Sequence, residues 1–160
     1  MEQMDNFRRN ADRLGLCEEF SKRWDSCGSK LQLYKLACDI NSLPYLCESI
    51  CKGWGLTEDY IATEFAPFVN GKCVFKGNGY TSCIWCKPNT DTISVDTTAT
   101  LVIGFTGTII PPIIGELYLC NCHDIRLQGD GAVVAYLYNS NIVSSDKCEA
   151  RIKENKRYGK

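Results

Sequence analysis

The sequence predicts an α+β protein, in which an N-terminal helical cluster leads into a β-rich half. Three observations carry that prediction. Apolar residues recur at a helical period up to residue 66, Asn70-Gly71 then opens a turn-rich stretch, and beyond Asp91 short apolar clusters follow one another.

The helical elements come first. Met4, Phe7, Ala11 and Leu14 form one stripe, which Gly15 ends at a position suited to a helix C-terminus. Cys17, Phe20, Trp24 and Cys27 form a second, and Ser29 caps a third helix carrying Leu31, Tyr34 and Cys38. Ser42 caps a fourth with Pro44 in its first turn, where a missing N–H costs nothing, and with Cys47, Ile50, Cys51 and Trp54 on its face. Thr57 caps a fifth, with Glu58 and Asp59 favoured near the positive end of the helix dipole and Pro67 beyond its end.

The β elements begin at Phe68. Asn70-Gly71 predicts a hairpin between Phe68-Val69 and Cys73-Val74-Phe75, because both turn positions want positive φ. Gly77-Asn78-Gly79 turns the chain again into Tyr80–Trp85. Further on, clusters centre near Val102, Ile109, Tyr118, Arg126, Val134, Ile142 and Arg151, a step of about eight residues. Every third cluster, from Val102 to Arg126 to Arg151, recurs at an interval of about 25 residues. That suits a short β-solenoid with three strands per coil, whose inward residues would include Leu117, Leu119, Ile125, Leu127, Val133 and Ala135. The texture from Leu117 to Ile142 resembles the short-strand solenoids of the pectate-lyase type. An antiparallel sandwich or barrel is the alternative, with Gln128-Gly129-Asp130-Gly131 closing a hairpin between Ile125-Leu127 and Val133-Ala135. The expected divisions are a helical subdomain over 1–67, a β-meander linker over 68–90, a solenoid-like subdomain over 91–154 and a tail over 155–160. The helices are expected to cap one end of the coils and hide strand edges.

Charge and composition narrow the function. The formal net charge is −1, so the basic surplus of a nucleic-acid binder is absent, and the helix at 57–66 offers phosphate only Glu58, Asp59 and Glu64. Thr97–Gly115 is uncharged and approaches the length of a membrane span, but Pro111-Pro112 would leave backbone groups that lipid cannot satisfy. Buried strands account for the run better. Eleven cysteines, an odd number, with no apolar leader in the first residues, point to free, mostly buried thiols and a cytoplasmic location.

Two constellations carry chemistry. Cys83-Ile84-Trp85-Cys86 has the spacing for two thiolates on one tetrahedral ion, and Cys120-Asn121-Cys122-His123 supplies further soft ligands; zinc is the ion this set would suit, in a closed structural site. His123, the only histidine, lies between Cys122 and Asp124, the residue types of a cysteine nucleophile with its base and orienting group. Adjacent strand residues point to opposite faces, however, so Cys122 and His123 would not readily meet. Glu116, Asp124, Arg126 and Asp130 are the charged residues available for a polysaccharide groove of the kind the solenoid resemblance implies. No cofactor other than zinc is indicated, and no catalytic residue.

The expected function is that of a non-enzymatic macromolecular interaction or accessory protein, such as a small inhibitor or regulator of a phage or mobile element. Another protein is the expected partner, nucleic acid and membrane are not, and self-association is compatible with the sequence. A zinc-stabilised binding module and a cysteine-dependent enzyme are the alternatives.

Overall fold

The computed structural model describes residues 43–52, 58–59, 74–76, 82–95, 98–112 and 114–157, with side chains left aside at 74–76 and 82–83. The helices expected over 2–40, most of the one over 57–66 and the Asn70-Gly71 hairpin lie outside the described residues.

Ten strands form two sheets. The larger orders β1 (Val74–Lys76), β2 (Ser82–Cys86), β4 (Ala99–Ile103), β6 (Ile114–Cys120), β8 (Ala132–Tyr138) and β10 (Glu149–Lys156). The smaller orders β3 (Thr92–Ser94), β5 (Thr108–Ile110), β7 (Ile125–Leu127) and β9 (Ile142–Ser144). Every pairing is parallel except β1 with β2, where Val74 faces Trp85 and Lys76 faces Cys83. The fold is a parallel β-solenoid of about four turns.

The apolar clusters of the sequence correspond strand for strand to β4 through β10. Their grouping by three is corrected. Ser82 pairs with Ala99 and Ala99 with Glu116, so the chain returns to the larger sheet after a single strand of the smaller one. Each coil therefore holds two strands, one in each sheet. The antiparallel alternative also fails: β7 pairs with β5 and β9, whereas β8 pairs with β6 and β10, so Gln128–Gly131 joins the two sheets and closes no hairpin. The first coil starts at Ser82, inside the stretch expected to be a meander, and β10 runs to Lys156, into the expected tail.

The reason for a two-strand coil lies at its corners. Lys87, Gly104, Asn121 and Asn139, each directly after a strand of the larger sheet, have φ of 48, 63, 53 and 51°. This left-handed conformation turns the chain sharply, and glycine and asparagine tolerate it best. Each donates its N–H to the final carbonyl of the next strand in the stack: Lys87 to Ile103, Gly104 to Cys120, Asn121 to Tyr138 and Asn139 to Lys156, all at 2.9–3.0 Å. Gly104 is doubly constrained, since a Cβ there would also lie 2.6 Å from the Glu58 carboxylate. A deeper stitch follows. The Ser140 hydroxyl accepts from the Cys122 N–H at 3.0 Å and lies 2.9 Å from the carbonyls of Leu119 and Tyr138.

Like residues stack inside the coils, as parallel pairing requires. Val102, Leu119 and Leu137 form one column and Ile93, Ile109 and Leu127 another, and all six residues expected to point inward do so. The uncharged run near residue 100 is buried strand: every residue of Ala99–Ile103 is inaccessible. Among the described residues no helix is long and apolar enough to cross a membrane.

Part of the outer face of the larger sheet is covered as well. Helix α1 (Leu43–Lys52) buries Leu43, Leu46 and Cys47, an i, i+3, i+4 set, against β6 and β8. The buried stripe is thus one turn earlier than Cys47, Ile50 and Cys51 suggested, and α1 lies on the face of the sheet. That is a correction for the described helix: it lies over β6 and β8, beside Cys120 and Tyr138, rather than over the end of a coil.

Candidate functional site

Outward residues of the larger sheet divide into two zones. Beneath α1, Cys47 and Cys51 project one turn apart toward Cys120, the last residue of β6, with the Cys51 and Cys120 sulfurs 3.7 Å apart. At the rim, Lys156 Nζ binds Glu48 Oε1 at 2.8 Å and lies 5.6 Å from the Tyr138 ring centre, and Lys52 approaches the other Glu48 oxygen at 3.4 Å. Burial holds the Cys47 thiol above its ordinary pKa. The Cys51 thiol is raised chiefly by its contact with Cys120, and that of Cys120 chiefly by its contact with Cys47. These sulfurs are protonated at neutral pH, and a thiol is a far weaker nucleophile or metal ligand than a thiolate.

The second zone begins where α1 ends its cover. Tyr118 and Tyr136, register partners on β6 and β8, stack with ring centres 4.4 Å apart and planes 6° from parallel. The Tyr118 hydroxyl donates to Glu116 Oε2 at 3.1 Å, and Lys153 Nζ stands 6.0 Å from the Tyr136 ring centre. Toward the strand starts this face opens into a groove of about 340 Å³, lined by Ile114, Ala132, Val134, Ala150 and Arg151 among others. Ile114, 76% exposed, is the most accessible large apolar side chain among the described residues.

The expected zinc ligands are distributed elsewhere. Cys86 and Cys120 share a column but stand two strands apart, with Ile103 between them, or roughly 10 Å at the usual strand spacing. Cys122 follows the corner into the coil interior, where its Sγ lies 3.2 Å from the Val102 carbonyl and burial pushes its pKa up to about 12. His123 is exposed, and its backbone N–H binds the Phe105 carbonyl at 3.0 Å. Cys83 pairs through its backbone with Lys76 and Thr100; its side chain is outside the described set. Among the described residues no three of His, Cys, Asp and Glu are grouped to hold a metal ion.

The charged residues considered for a polysaccharide groove are also dispersed. Glu116 is on the larger sheet, Arg126 on the outer face of the smaller one, and Asp124 at a corner, where it exchanges hydrogen bonds with Asn141 at 3.0 and 3.2 Å. Glu58 and Asp59 face Lys87 at 3.5 and 3.1 Å. Sequence reasoning missed the Cys47–Cys51–Cys120 grouping and the tyrosine stack. The stack follows once the coil is read as two strands, since Tyr118 and Tyr136 then occupy equivalent places on successive coils. Placing α1 over Cys120 needs the tertiary fold.

Comparison of the chain with family models, with curated proteins and with solved structures returns no match.

Proposed function

We propose that this is a non-enzymatic protein-binding accessory module, whose partner docks along the open part of the outer face of the larger sheet. The groove beside Ile114 carries the reading. Its lining is mainly apolar, with Glu149 and Arg151 as its charged members, and the stacked Tyr118–Tyr136 pair stands further along β6 and β8. Apolar and aromatic anchors ringed by polar groups are what protein interfaces use for affinity.

The test is capture by the full chain from cells that produce it, read by quantitative mass spectrometry against Ile114→Glu and Arg126→Ala. A true partner is reduced at least about tenfold by the first change and unaffected by the second, on the opposite sheet. Equal recovery with all three proteins overturns the reading.

A further inference from the structure

The larger sheet ends at β10, which pairs with β8 on one side and, among the described residues, with nothing on the other. An unpaired strand edge invites another strand, and proteins commonly guard such edges with charge. Here the charges are of both signs, and their order bears on which strand can be accepted.

The β8–β10 register shifts between Ile152 and Glu154, leaving Lys153 as the extra residue of a bulge. The remaining positions are Glu149, Ala150, Arg151, Ile152, Glu154, Asn155 and Lys156. Glu149, Arg151, Glu154 and Lys156 share the outer face with their β8 partners Ala132, Val134, Tyr136 and Tyr138. Ile152 is at the centre and is 51% exposed.

We propose that β10 pairs antiparallel with β10 of a second copy of this chain, across a two-fold axis at Ile152. In that register Glu149 faces Lys156 of the copy, Arg151 faces Glu154, Ala150 faces Asn155 and Ile152 faces itself. Both charged pairings occur twice by symmetry, and opposite charges directly across a strand pair are favourable. Neighbouring registers are repelled. Centring on Arg151 sets Arg151 against itself and Glu149 against Glu154, and centring on Glu154 sets Glu154 against itself and Arg151 against Lys156. A shift by half a step would put inward residues opposite outward ones. The bulge is what makes the pattern symmetric, since counting Lys153 as a ladder position breaks it. Lys156 serves both its own Glu48 and the copy's strand, because an ammonium group has three donors. Val143 on β9, 52% exposed at the same end of the stack, adds apolar surface. One strand pair is a small interface, so the association is expected in the micromolar range.

Sedimentation velocity of the full chain from about 1 to 500 µM tests the proposal, with Arg151→Glu and Glu154→Arg made separately. The parent dimerises reversibly. Each variant alone places like charges across the axis and associates at least about tenfold more weakly. An equimolar mixture of the two variants restores dimers, since every acidic position then faces a basic one. This rescue separates a lost contact from a lost fold. A parent that stays monomeric throughout, or a mixture no more associated than its components, overturns the proposal.

Discussion

The two sheets are made by the same coils yet differ in nearly every respect. Strands of the larger sheet reach eight residues and β4 is buried on both faces, whereas each strand of the smaller sheet has three residues, and β7 alternates buried, exposed, buried. The difference comes from cover. The larger sheet is packed on the coil interior and, in part, under α1, so both faces contribute apolar burial and long pairing is favoured. Among the described residues the smaller sheet packs on the interior only, and its outer residues (Thr92, Thr108, Arg126) are exposed or partly exposed. Stability should therefore reside in the shared interior and the larger sheet, leaving the smaller sheet's surface free to vary.

The largest expected effect tests that division directly. Leu119→Ala removes a fully buried side chain from the middle of an interior column and should cost about 2–5 kcal/mol in urea unfolding. Arg126→Ala, on the open face of the smaller sheet, should change stability by less than about 0.5 kcal/mol. Comparable losses would contradict the division.

Alkaline pH should expose the interior next. The folded-state pKa of Cys122 is raised by burial from 9.0 to about 12. Below pH 9.0 both folded and unfolded thiols are protonated and nothing changes. Above it the unfolded state loses its proton first, so stability falls by up to about 1.4 kcal/mol per pH unit until the folded thiol also ionises. Unfolding of the parent and of Cys122→Ala should diverge progressively above pH 9.0, with the variant the less pH-sensitive.

A smaller loss is expected at the corner. Ser140→Ala leaves the buried Cys122 N–H without an acceptor and should cost about 1–3 kcal/mol. At the rim, Lys156→Met breaks the pair with Glu48, but the lysine side chain is 43% exposed and the loss should stay below about 1 kcal/mol. It should shrink further as salt is raised. A salt-independent loss would mean that the pair is sheltered more than its exposure implies.

Much of the β half is legible in the residues. The positions of β4 to β10, the six inward side chains and the buried nature of the run near residue 100 all follow from local apolar clusters. The number of strands per coil does not, because clusters of similar size in the two sheets look alike until the corners are identified. Gly104, Asn121 and Asn139 are the available signal: residues tolerant of positive φ, each one coil beyond the last. The zinc set is misdirected by proximity in sequence. A corner at Asn121 sends Cys120 outward and Cys122 inward, so a CxC pair that would share a face in a straight strand is split between two environments. Contacts of α1 with β6 join residues 69 positions apart and leave no local trace.

The two-strand coil is tested most directly by methyl–methyl nuclear Overhauser contacts in the isotopically labelled full chain. Val102, Leu119 and Leu137 should give a continuous ladder from each coil to the next. Contacts that instead link every third apolar cluster, or Ile125–Leu127 lying across from Val133–Ala135 as a hairpin, would contradict it.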